Sequence, residues 1–238
     1  MKKIYLLLSG FIFSNFSMAQ TSTNPDYFPI GVWLQQTRHA KEYKNAGVNM
    51  YVGLWDGLDQ TQLTDLKNAS MKVMCDQNTF ALGKLSDTTI YGWTLGDEPD
   101  NAQWNDATKK YDPCIEPSII INQYNGIKAK DANRPVYLNL GQGVSNIDWV
   151  GRGTCTGKTN MYPVYKNGYV KGCDIISFDI YPVNNTDVSK EKLWYIPKGI
   201  DSLNTWAENR KPTWCWIEVT KIDNQTSNRK PTTIEVKA

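Results

Sequence analysis

The sequence is poor in histidine, with a single one, His39, among 238 residues. Barrel metallohydrolases draw several imidazole ligands from strand ends, so this scarcity excludes that class. A Ser-His-Asp triad would have to rest on His39 alone, and no Gly-x-Ser-x-Gly turn is present to carry its serine. No Cys-x-x-Cys occurs, which argues against a structural zinc, and no metal or cofactor is expected. Walker-type phosphate loops are missing as well. Gly141-Gln142-Gly143 and Gly151-Arg152-Gly153 read as loop glycines rather than as a dinucleotide turn. Charge of one sign is also lacking. The formal net charge is +2, and setting Lys2 and Lys3 aside brings it to zero. A neutral chain without basic runs gives no electrostatic reason to bind nucleic acid.

Long hydrophobic runs are scarce too. The longest, Ile4 to Phe13, follows Lys2 and Lys3 and precedes the small residues of Ser17-Met18-Ala19. It is too short to span a bilayer but has the form of an export signal. Residues 1–19 are therefore expected to be a signal peptide, and residues 20–238 one secreted or periplasmic domain without a membrane span. Truncation of that domain at its C-terminal end is also expected, for the reason given below. Five cysteines in an exported chain allow at most two bridges. Cys75, Cys173 and Cys215 sit in or beside strand-like runs and read as small buried hydrophobes. Cys114 and Cys155, in long polar loops, are the candidates for a disulfide.

Seven short apolar runs recur: Phe28–Leu34, Val48–Trp55, Met71–Asp76, Ile90–Leu95, Pro135–Leu140, Cys173–Tyr181 and Thr213–Val219. They are continuous rather than alternating, which suits strands buried on both faces of a parallel sheet. Helical spacing is expected between them over Thr37–Ala46, Leu58–Ala69, Ser118–Ala129 and Ile196–Asn209. The repetition predicts an α/β fold, a (β/α)8-type TIM barrel truncated before its eighth strand. A seven-stranded closure is the alternative.

Barrel enzymes hold reactive groups at the C-terminal ends of strands. The fourth run leads into Asp97-Glu98-Pro99-Asp100, and the seventh holds Glu218 in otherwise apolar Trp214–Val219. A carboxylate buried in a strand is costly unless it is paired or solvated. Glu98 as a loop acid and Glu218 as an ion-pair partner of Lys221 are the plainer alternatives. Trp33, Trp55, Asp56, Asp76, Gln77, Asn139 and Gln142 also fall at strand ends, and Trp104, Trp149 and Trp194 in or near loops. Thirteen Tyr and nine Trp supply the aromatic faces on which sugar rings stack.

Acids ending the fourth and seventh strands resemble the clan A glycoside hydrolases, which retain anomeric configuration. The resemblance covers the whole expected domain as architecture, but only a few residues as motif. It implies that Glu98 is the acid/base and Glu218 the nucleophile. At the sixth strand, Phe178-Asp179-Ile180-Tyr181-Pro182 is similar to the segment whose aromatic hydroxyl orients the nucleophile. That role passes to Tyr181, with Asp179, Asn139, Trp33 and Trp55 as substrate contacts. Where the family has Asn-Glu-Pro this chain has Asp97-Glu98-Pro99. The family's Asn donates to the sugar 2-hydroxyl, whereas an ionised Asp97 only accepts. Retention needs the carboxyls about 5–5.5 Å apart, and about 6.5–9.5 Å would leave room for water and invert. The expected function is hydrolysis of glycosidic bonds in a poly- or oligosaccharide. The alternatives are carbohydrate binding without cleavage, and an inverting hydrolase with Asp76 or Asp179 as base.

Overall fold

Each of the seven apolar runs forms a strand in the computed structural model, which describes residues 27–146, 162–184, 192–221 and 229–237. The expected signal peptide, Cys155 and Trp149 lie outside these residues. The strands are β1 (Gly31–Trp33), β2 (Met50–Val52), β3 (Lys72–Cys75) and β4 (Ile90–Thr94). A short hairpin follows, β5 (Gln103–Asn105) and β6 (Lys110–Asp112). The main sheet then resumes with β7 (Val136–Leu140), β8 (Ile175–Phe178) and β9 (Thr213–Cys215). All seven main strands are parallel, in the order β1-β2-β3-β4-β7-β8-β9.

Both faces of this sheet are apolar, which is why its strands read as continuous hydrophobic runs. Met50, Val52, Met74, Tyr137 and Ile175 form one cluster, with Trp33, Trp214 and Trp216 packed against it. Their neighbours Tyr51, Val73, Cys75, Leu138 and Phe178 belong to the larger core that also holds the helices' apolar residues. The alternation is the period of two along a strand, with a hydrophobic partner waiting on either side.

The sheet is strongly curled. Laid flat, six strand spacings would hold β1 and β9 about 29 Å apart. Instead Trp33 in β1 meets Trp216, one residue past β9, edge-on at 5.3 Å between ring centroids. Trp33 also stands 6.3 Å from the ring of Tyr137 in β7.

The expectation of an eight-stranded TIM barrel cut short is corrected by this arrangement. The sheet has seven strands and is open, and among the described residues no ladder joins β1 to β9. The physical reason is the tryptophan contact. Trp216 reaches across to β1, its ring tip 3.7 Å from where a Cβ would stand on Gly31. Side chains, not backbone hydrogen bonds, connect the two edges. The α/β character expected from the sequence holds.

The helices are α1 (Ala40–Asn45), α2 (Gln60–Asn68), α3 (Thr79–Leu82), α4 (Pro117–Lys130), α5 (Tyr162–Asn167), α6 (Tyr195–Trp206) and α7 (Thr233–Lys237). Among the described residues none is long and apolar enough to cross a membrane. Asp59 and Gln62 form a reciprocal cap that starts α2, and Pro117 opens α4 where its missing N–H costs nothing. On α6, Gly199 lets the helix rest directly on β8, since a Cβ there would stand 2.1 Å from the Phe178 ring. Cys75, Cys173 and Cys215 are free thiols, and Cys114 is disulfide-bonded.

Candidate functional site

The chain leaves β4 still bound to β7. Leu95 N–H donates to Tyr137 O at 3.0 Å, and Glu98 N–H to Asn139 O at 3.1 Å. Glu98 then takes a left-handed backbone conformation, φ 43°, immediately before Pro99. A non-glycine residue there is strained, by on the order of 1–3 kcal/mol, and a following proline restricts it further. Its surroundings hold it. Asn101 N–H donates to Glu98 O at 2.9 Å, and Asn101 Nδ2 donates to the Glu98 carboxyl at 2.8 Å. Beneath them Asp100 is buried, accepting from Gly141 N–H at 2.9 Å and from the Tyr165 hydroxyl at 2.8 Å. Gly141 is needed for closeness. A Cβ there would stand 2.6 Å from Asn101 Nδ2 and 3.1 Å from Glu98 Oε1.

Facing this loop is Asp179, at the end of β8. Its N–H donates to Leu140 O at 3.0 Å, continuing the ladder with β7. Its carboxyl lies beside that of Glu98 and accepts a short bond from the Tyr181 hydroxyl. Burial first, and then the Glu98 charge, hold Asp179 well above the usual carboxylate range. The neighbouring carboxyl opposes ionisation of Asp179 and favours its protonated form. Burial, followed by the Asp179 charge, likewise raises Tyr181 far above an ordinary phenol. Asp97 faces the same opening. Loss of water raises it to about 6, helped by Glu98 and opposed by the Asn139 amide.

A line of hydrogen bonds runs under these acids across the concave face. Trp216 Nε1 donates to the Tyr137 hydroxyl at 2.7 Å, and that hydroxyl bonds Ser177 Oγ. Ser177 Oγ donates to Asn139 Oδ1 at 2.6 Å, and Asn139 Nδ2 donates to Asp97 at 2.9 Å. The indole can only donate and Asn139 presents its amide hydrogens to Asp97, so the line is polarised toward Asp97.

Glu218 is buried one strand further on. Its two oxygens accept from Val183 N–H at 2.9 Å and Asn184 N–H at 2.8 Å, in the segment after β8. Burial raises its pKa and these amides oppose the rise. The carboxyl that meets Glu98 is thus that of Asp179, and the hydroxyl of Tyr181 goes to Asp179. Trp33 lies on the concave face, and exposed Trp55 donates its indole N–H to Leu34 O at 2.7 Å, on the rim. Asp76 accepts from Thr94 at 2.7 Å, and His39 lies on the surface against Glu42. Four participants were not expected from the sequence: Asn101, Ser177, Tyr137 and Tyr165. Only Tyr137 left a signal, since its spacing of two from Asn139 puts both on one face of β7.

No protein-family model matches the sequence, and no curated protein matches it. Solved structures of similar fold do exist. One is assigned as an α-L-fucosidase from Bacteroides thetaiotaomicron VPI-5482, with a TM-score of 0.52, 8% identity, and coverage of 88% of this chain and 81% of that one. A β-glucuronidase from Bacteroides uniformis matches at TM-score 0.50 and 10% identity, over 84% of this chain and 26% of its own. A GH2 β-galacturonidase from Eisenbergiella tayi matches at TM-score 0.45 and 15% identity, over 80% of this chain. The present chain spans about a third of that enzyme, 33%. The first two carry glycoside hydrolase names, and what this chain shares with them is the fold.

Proposed function

We propose that this protein hydrolyses glycosidic bonds of a poly- or oligosaccharide, with Glu98 as the proton donor. The observation that carries the reading is the contact between the carboxyls of Glu98 and Asp179 at the C-terminal mouth of the sheet. An acetal breaks when its leaving oxygen is protonated while positive charge builds on the anomeric carbon. In this reading a proton held at the pair, favoured by the burial of Asp179 and the Glu98 charge beside it, supplies the first need. Glu98, half-buried, is the outward member of the pair, and Asp179 lies behind it. Glu218, fixed by two backbone amides, is the carboxylate that attacks the anomeric carbon in a retaining mechanism, and Asp97 accepts from a sugar hydroxyl.

Work outside the cytoplasm belongs to the same proposal. It is supported by the basic, apolar and small-residue pattern of residues 1–19 and by the bonded state of Cys114.

Glu98→Gln tests the proposal. Hydrolysis of aryl glycosides should fall by about 10²–10⁴-fold, the usual worth of a general acid. Undiminished turnover would overturn the assignment. For Glu218, the test is Glu218→Ala with added azide, which should restore turnover and yield a glycosyl azide whose configuration NMR reads. A second reading, binding without cleavage, is favoured by one observation: both Glu218 oxygens are already engaged by Val183 and Asn184. Glycan binding by a protein with no turnover on any glycoside would select it.

A further inference from the structure

The β5–β6 hairpin leaves the main sheet directly after the Glu98 loop. Its register sets Trp104 opposite Tyr111, and the two rings meet edge-on with centroids 5.2 Å apart. Both are exposed, Trp104 by 51% and Tyr111 by 38%. Polar bonds on the hairpin hold the indole in place. Trp104 Nε1 donates to Asp106 at 3.1 Å, and Asn105 Nδ2 donates to Asp112 at 2.8 Å.

The arm is fastened to the acid loop. Gln103 Nε2 donates to the carbonyls of Glu98 at 3.0 Å and Asn101 at 2.8 Å. At the far end of the insertion, Ile115 N–H donates to Pro99 O at 2.9 Å, and the Tyr169 hydroxyl donates to Ile115 O at 2.6 Å. Trp104 follows Gln103, whose side chain reaches Glu98 O, so the Trp104 backbone stands on the order of 10 Å from that of Glu98. That is the span of a short oligosaccharide.

We propose that Trp104 and Tyr111 form a subsite that stacks one ring of a neutral glycan whose neighbouring bond lies at Glu98. This rests on the glycosidase reading above. Sugar C–H groups are attracted to the electron-rich face of an indole, and a face held by two hydrogen-bonded neighbours needs little ordering on binding. The charges choose among sugars. Asp106 and Asp112 are balanced by Lys109 and Lys110, and Lys109 pairs with Asp106 at 3.4 Å, so the hairpin offers an acidic sugar no net attraction.

The test is calorimetry on full-length Glu98→Gln protein, in which turnover is suppressed, with neutral cello-, xylo-, manno- and laminari-oligosaccharides as disaccharide and hexasaccharide. The hexasaccharide of one series should bind about tenfold more tightly than its disaccharide, a gain of about 1.4 kcal/mol. Adding Trp104→Ala should abolish that gain, and Trp104→Phe, which keeps a ring face, should recover part of it. The same hexasaccharide affinity in the Trp104→Ala protein overturns the subsite. So does failure of the Trp104-intact protein to bind any member of the panel. Unchanged glycan binding with an altered association state in Trp104→Ala would make the patch a protein contact and also overturn it. Length-dependent binding through Trp104 in a protein that hydrolyses nothing would keep the subsite and refute the catalytic reading. Hydrolysis with no contribution from Trp104 would do the reverse.

Discussion

Asp179 and Glu98 follow the two strands that flank β7, and their carboxyls lie side by side. Replacing Asp179 by Asn keeps the shape and removes one negative charge from the pair. Asp179, the acid held above the usual carboxylate range, is then gone as a store for the proton. In Asp179→Asn the alkaline limb of kcat/KM should move to lower pH, with a loss of about tenfold or more at pH 7. A pH–rate profile identical to that of the unaltered protein would show that the pair does not set the proton supply.

Gly141 sits where a methyl group has no room beside the reacting loop. In Gly141→Ala the new carbon would stand 2.6 Å from Asn101 and 3.1 Å from Glu98, so one or both must shift. Overpacking of this kind costs about 1–3 kcal/mol. Displacing a catalytic carboxyl by a fraction of an ångström costs rate more than it costs stability. Thermal melting should therefore fall modestly while kcat falls by at least tenfold. Parallel measurement of melting and kinetics decides, and full activity would remove Gly141 from the site.

Asp100 links stability to pH. Burial raises it from an ordinary carboxylate to about 7, against the pull of the Gly141 and Tyr165 bonds. The folded protein thus holds a proton that the unfolded chain has already released. The associated stability is fully present below the unfolded value near 4 and is lost as pH rises through about 7. Asp100→Asn retains an acceptor for Gly141 N–H and cannot ionise. Its melting temperature should vary less between pH 4 and 8, and by pH 8 it should match or exceed the unaltered protein, by a few kcal/mol at most. Parallel melting curves across that range would refute the assignment.

Tyr137 is the middle of the polarised line beneath Asp97. Tyr137→Phe removes the acceptor of the Trp216 indole and the partner of Ser177, both on the concave face. Stranding buried polar groups costs about 1–3 kcal/mol. The loss should be visible by denaturant titration, with no change in the slope that reports exposed surface. A cost of a few tenths of a kcal/mol would mean that water replaces the hydroxyl.

The strands were legible because each is apolar on both faces, as Met50, Tyr51 and Val52 illustrate. Closure was not. Whether the two edges of a sheet pair depends on contacts between the first and last strands, which no local pattern records. The β5–β6 hairpin escaped notice because its strands are three residues each, mixed in polarity, and held by one aromatic pair. Glu98 stood out as an acid trapped between a strand end and a proline. That Asp179 lies beside it, and that two amides after β8 engage Glu218, depends on sheet curvature.

The tryptophan seam between β1 and β9 gives the curled sheet one compliant direction. A backbone ladder resists both sliding and spreading, whereas two indoles in van der Waals contact resist compression and little else. Among the described residues no backbone hydrogen bond joins β1 to β9, so spreading this seam would break none between them. Amide exchange should be fastest in Gly31–Trp33 and Thr213–Cys215, the two main-sheet strands that have a free edge among the described residues.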